Sequence, residues 1–140
     1  MNIENSLLPV IKQRVEEIST CLKNNAALSV IFLCGSTLEG LLLNVAREHP
    51  REFNTSASAP QKDQKVKPLQ EWTLDNLINV AYEVGFIDLD VKKFSHVLRD
   101  FRNYIHPYEQ MARSFNPTIE TAKISAQVLK AAISQICRKK

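Results

Sequence analysis

Apolar residues recur along this chain at helical spacing almost from end to end, and nowhere with the two-residue alternation of a strand. Leu7, Ile11, Val15, Ile18 and Leu22 follow one another at four, four, three and four positions. They predict one amphipathic helix, capped by Ser6 with Pro9 in its first turn and ended by Asn24-Asn25. From about Ala26 to Arg47 the chain is apolar nearly all round, through Leu28, Val30, Ile31, Leu38, Leu41, Leu42 and Val45. A helix without a polar face is a central, buried one. Glu39 interrupts it, and the uncharged run before Glu39 is too short for a membrane span. Gly35, Ser36 and Gly40 are small enough for a neighbour to come close.

Residues 49–71 break the pattern. They hold Pro50, Pro60 and Pro68, a small polar run at 54–59, and Lys62, Lys65 and Lys67. This composition predicts one long mobile loop. A third helix is expected over Leu74–Val84, capped by Thr73 and closed by Gly85. In a fourth, capped by Asp90, the residues Val91, Phe94, Leu98, Phe101 and Ile105 form an apolar stripe. Pro107 ends or kinks it. After a linker from Tyr108 to Phe115, Asn116 caps a last helix with Pro117 at its first position. Ile119, Ala122, Ala126, Leu129, Ile133 and Ile136 make that helix's inner face. The expected fold is a single all-α domain over 1–140, an up-and-down helical bundle of about five helices with one long loop (49–71).

The bulk composition narrows the partners only a little. A length of 140 residues suits one domain with a real core. Net charge is +3, with a pI near 8.8, mildly basic. That permits an RNA or phosphate partner without requiring one. Cys21, Cys34 and Cys137 form no CxxC pair, and two of them fall on apolar faces. Free thiols in a reducing cytoplasm are the expectation. No secretory signal is read at the N-terminus, and no membrane partner is expected. No metal-ligand cluster has sensible spacing, so neither metal nor cofactor is expected.

The residues with chemistry lie in Leu98–Pro107. On one continuous helix, Arg99, Arg102 and His106 at i, i+3 and i+7 share a face, with Asn103 at its edge. Guanidinium groups hold phosphate, and imidazole moves protons near neutral pH. The face is turned by about one residue from the apolar stripe, which places it beside the core seam. Each residue also has a plainer reading. An arginine here can neutralise Glu39, whose carboxylate in an apolar helix needs a partner. His106 can complement a helix end. His49 and His96 read as lone surface or loop residues. Trp72, Tyr104 and Tyr108 read as packing residues, the two tyrosines also close enough to the motif to touch a nucleotide. The three lysines read as a solvated loop or a contact to an RNA backbone.

The Leu98–Pro107 stretch resembles the higher eukaryote and prokaryote nucleotide-binding (HEPN) superfamily, as do Leu77–Ile87 and Leu38–Leu42. The family's motif is an arginine, often followed by Asn, then a short spacer and a histidine. Arg102-Asn103 has the Arg-Asn start, with three residues between Arg102 and His106; Arg99 and His106 have six between them, the family's more usual spacing. Either arginine can fill the motif. The resemblance implies a small helical bundle and a metal-independent endoribonuclease or RNA-binding component of a toxin–antitoxin or defence system. His106 would then be general acid or base, Arg99 or Arg102 would stabilise the phosphorane, and Asn103 would orient phosphate or imidazole. It also implies a homodimer, since one helix supplies too few groups for a complete site. The alternative is a non-catalytic helical module that binds a protein partner. That alternative predicts an exposed apolar patch and an Arg/His group already satisfied from within.

Overall fold

The computed structural model describes residues 6–139. Seven α-helices follow one another among these residues. They are α1 (Leu8–Lys23), α2 (Ala27–Glu48), α3 (Pro50–Asn54), α4 (Leu74–Val84), α5 (Leu89–Phe101), α6 (Pro107–Ala112) and α7 (Ile119–Arg138). A two-stranded antiparallel ribbon, β1 (Gln61–Lys62) and β2 (Lys65–Val66), and 3₁₀ turns at Leu69–Glu71 and Arg102–Ile105 complete the order. The fold is an all-α helical bundle. Its five long helices are those the periodicity predicts; α3 and α6 are short additions inside the two segments expected to be irregular.

The bundle is organised around α2, which α1, α4, α5 and α7 all touch. By length and hydropathy alone α2 could cross a membrane, yet more than half of that apolar stretch is buried inside the bundle. Val30, Ile31, Leu38, Leu41 and Leu42 are fully buried. Each contributes about 1.5–3 kcal/mol relative to an exposed position, so this helix dominates the core. Gly35 has a specific use: a Cβ there would stand 3.1 Å from Cδ of Arg102. The missing side chain lets the arginine stem lie against the helix. Gly40 has open space and no such role.

Several expected boundaries shift by a residue or two for local reasons. Thr73 caps α4 as expected, in a reciprocal box with Asn76, and Gly85 closes it at φ +95°. The residue before α5 is Asp88, not Asp90, whose carboxylate instead accepts from the Val91 N–H at 2.7 Å. Thr118, not Asn116, caps α7, taking the Thr121 N–H at 3.2 Å. Before α1 stands Leu7, and Ser6 makes no side-chain cap.

Two larger corrections matter more. Residues 49–71 do form the long connection, but it is folded rather than loose. Phe53 is fully buried, with its ring 6.2 Å from Trp72 and 6.1 Å from Phe86. The Trp72 indole donates to the Lys67 carbonyl at 2.8 Å. The Glu83 carboxylate of α4 accepts from the Ser56 hydroxyl and from the Ser58 N–H at 3.1 Å. These bonds hold the Glu83 carboxyl below the usual carboxylate range. Asp63 and Gln64 take positive φ, +54° and +65°, the backbone a tight two-residue hairpin needs. A few aromatic anchors fold a segment whose polar composition hides them.

The second correction is the α5 stripe. Val91, Ser95 and Leu98 are its buried residues, at i, i+4 and i+7. Phe94 is 55% exposed and Ile105 60% exposed. The helix is rotated so that small Ser95 meets the core and Phe94 turns outward. On α7 the inner line is likewise Ala122, Ser125, Val128, Leu129, Ala132 and Ile136.

Candidate functional site at the end of α5

The α-helix carrying the Arg–His motif does not run through it. Helix α5 stops at Phe101, and Arg102–Ile105 is a 3₁₀ turn. Each residue of such a turn advances about 120°, against about 100° in an α-helix. His106 then takes an extended backbone, φ −90° and ψ 124°, because Pro107 follows it and opens α6. The shared face expected for Arg99, Arg102 and His106 therefore comes apart. Arg99, Arg102 and Asn103 line one open groove of about 540 Å³, together with Thr73, Leu74, Asp75 and Ile105. His106 is not among these residues. Its side chain is exposed and makes no hydrogen bond among the described residues, and the same is true of Asn103.

Both arginines are already engaged. Arg102 Nη1 bonds Glu39 Oε2 in a half-exposed ion pair, the pairing that the apolar setting of Glu39 predicts. Arg99 donates from Nη1 to Asp75 Oδ1 at 2.9 Å and from Nη2 to Asp100 Oδ1 at 2.7 Å. Arg99 Nε is buried without a partner. The group thus sets two guanidiniums against three carboxylates. A phosphodiester approaching it meets a local field that is not positive, and to bind it must displace charge-assisted hydrogen bonds.

Sequence reasoning missed two members of this cluster. Asp75, in the first turn of α4, is the hub, and His96 stands beside it. His96 Nδ1 lies 3.3 Å from Asp75 Oδ1, and Nε2 lies 2.9 Å from Asn79 Oδ1. Burial holds the imidazole below its ordinary value; Arg99 and Lys92 push the same way, against Asp75 and Asp100. His96 is thus a half-buried network residue, not the lone surface histidine expected. Its spacing to Arg99 on α5 was a signal, but Asp75 and Asn79 come from another helix, and only packing brings them close. His49, the other lone histidine, leans on Phe86 with ring centroids 4.8 Å apart.

The remaining candidates scatter. Tyr104 stacks on Phe115 at 4.2 Å, and Phe101 on Phe115 at 5.2 Å, so Tyr104 is a packing residue. Tyr108 is 80% exposed. Lys62, Lys65 and Lys67 border a separate groove with Asp63, Val66, Pro68 and Glu71, which shares no residue with the arginine groove. Cys34 is buried, and burial pushes its thiol up to about 12, which keeps it protonated and inert. No group of three or more metal-ligating side chains occurs among the described residues.

Comparison with known proteins is negative throughout. No family model, curated protein or solved structure matches this chain. The assignment of function therefore rests on the geometry alone.

Two further surfaces stand out. Between α5 and α7 runs an apolar groove of about 320 Å³, lined by Val91, Phe94, Ile124, Val128 and Ala131 with Asp90 and Gln127 at its edge. Val97 and Ile124, on the same two helices, are 50% and 59% exposed. Across Arg102 from the arginine groove is another of about 480 Å³, bordered by Arg14, Glu17, Cys21, Ser29, Phe32, Leu33, Ser36, Arg102 and Ile105.

Proposed function

We propose that this chain is a non-catalytic helical-bundle module that works by association, with a second copy of itself docking on the α5/α7 face. The observation that carries this reading is the apolar groove lined by the exposed Phe94 and Ile124, with Val97 also exposed on the helix that carries Phe94. Exposed apolar residues gathered on one face mark contact surfaces far more often than scattered ones do. Lys93 and Lys123, with Asp90 and Glu120, give these helices both signs of exposed charge. A two-fold pairing, the commonest arrangement of oligomers, can then set unlike charges opposite one another. The carboxylate-bound state of Arg99 and Arg102 agrees with a structural role for them.

Sedimentation velocity tests the reading. The wild-type chain is expected to run as a dimer, and the double variant Phe94→Glu/Ile124→Glu as a monomer with unchanged helical circular dichroism. A monomeric wild type, or a variant that still dimerises, overturns it.

The RNA-cleaving reading keeps one specific observation in its favour: His106 and Asn103 stand exposed and unbonded beside the arginines. A homodimer of HEPN type would let two such sets converge. Its measurement is metal-free cleavage of mixed-sequence single-stranded RNA. Loss of cleavage in His106→Ala supports a nuclease, and intact RNA with the wild-type dimer removes it. Under that reading Lys62, Lys65, Lys67, Tyr104 and Tyr108 remain candidate RNA contacts, and a toxin–antitoxin or defence setting with a cognate protein partner remains a proposal. A cytoplasmic location is proposed on the free thiols alone.

A further inference from the structure

We propose that the groove between α1, α2 and the Arg102–Ile105 turn binds a small organic acid, a single carboxylate carried on an apolar chain. The inference does not depend on self-association, since it uses a different face. Arg14 is half-buried, and among the described residues no carboxylate lies within 4.0 Å of its guanidinium. In this it differs from Arg99 and Arg102. Its one hydrogen bond runs from Nη1 to the Ser36 hydroxyl oxygen at 2.7 Å. The Ser36 hydroxyl accepts there and donates to nothing among the described residues, so its proton is available. Guanidinium N–H groups and one O–H thus converge at the polar end of a groove of about 480 Å³, a size that holds small ligands.

Beside Glu17, Ser29 and Arg102, the groove also has an apolar part. Phe32 and Leu33 of α2, Cys21 of α1 and Ile105 of the turn supply it, and Ile105 is 60% exposed for want of a cover. An apolar chain laid along these residues removes their surface from water, while the head answers the unneutralised charge of Arg14. The charge of the ligand is limited as well. Glu17, at the groove's edge, repels a second negative charge, and Arg102 is already neutralised by Glu39. One uncompensated guanidinium matches one carboxylate, which favours a monoanion over a phosphate dianion.

Amide chemical shifts of the full chain titrated with octanoate, acetate and 1-octanol test this. Octanoate is expected to shift the amides of residues around 14, 29, 32, 36 and 105. Acetate, lacking the chain, and octanol, lacking the charge, are each expected to bind about tenfold more weakly. Arg14→Met should weaken octanoate by about tenfold, the loss of a charge-assisted pair, with no effect on octanol. Glu17→Gln should strengthen octanoate by about threefold, an effect that fades at high salt. The proposal is overturned if octanoate shifts another region, if octanol binds as well as octanoate, or if Glu17→Gln weakens binding. The Glu17 arm keeps the test decisive even if Arg14→Met fails to fold.

Discussion

The two grooves on either side of Arg102 share that residue and Ile105, and are similar in size, yet their cations are in opposite states. On the α4/α5 side, Arg99 and Arg102 are held by Asp75, Asp100 and Glu39. On the α1/α2 side, Arg14 is held among the described residues only by a serine hydroxyl. The arginines that look functional in sequence are thereby occupied, and one that looks ordinary is available. An arginine's place in a motif says what it can bind; the carboxylates that packing brings within reach decide whether it has anything left to bind with.

Releasing the bound arginines is the strongest way to break this contrast. In Asp75→Asn/Asp100→Asn, Arg99 loses both carboxylates and the groove becomes net positive. Affinity for a short single-stranded oligoribonucleotide should rise by about thirtyfold, as expected for two charges each contributing on the order of 1 kcal/mol near the surface. Fluorescence anisotropy at low and high salt measures it. No gain would mean that charge balance is not what keeps the groove from binding anions.

A smaller effect is expected from removing the divider itself. Arg102→Ala leaves Glu39 unpaired and the stem space beside Gly35 empty. Both partners are more than a third exposed, so screening limits the ionic part, and the total should be about 1 kcal/mol. Urea denaturation reads this, and an unchanged midpoint would show that the pair contributes nothing to stability.

The smallest effect is pH-dependent and belongs to the same cluster. The His96 imidazole titrates below its ordinary value in the folded chain, so the unfolded chain binds a proton first as pH falls. Its share of stability is fully present above about pH 6.5 and declines as pH drops from there to the lower folded value. His96→Gln should flatten the dependence of the thermal midpoint on pH across that window. A midpoint that falls as steeply in the variant would place the acid sensitivity elsewhere than His96; Glu83 adds its own loss only at lower pH, below the usual carboxylate value.

Much of the architecture was legible in the chain. The helices expected from the spacing of α1, the apolar run of α2 and the Thr73/Gly85 punctuation of α4 each depend on neighbours in sequence and are found where expected, although on α1 Val15 lies outside the buried face that Ile11 and Ile18 make. Glu39 needed a cation, and Arg102 supplies it. What could not be read depended on distant residues. Phe53 turns a polar, proline-rich stretch into a folded connection because its ring meets both Trp72 and Phe86. Ser95 rather than Phe94 enters the core because helix rotation is set by the neighbours' shapes, not by hydrophobicity alone.

By itself, the sequence determined that this is a helical bundle with α2 at its centre, because periodicity and capping act within a few residues and water sorts apolar faces inward. Tertiary structure alone decided which cations are neutralised, where the Arg–His stripe separates and which apolar residues stay outside. Those outcomes turn on distances between helices, and ion pairs and contact surfaces exist only once the helices are packed.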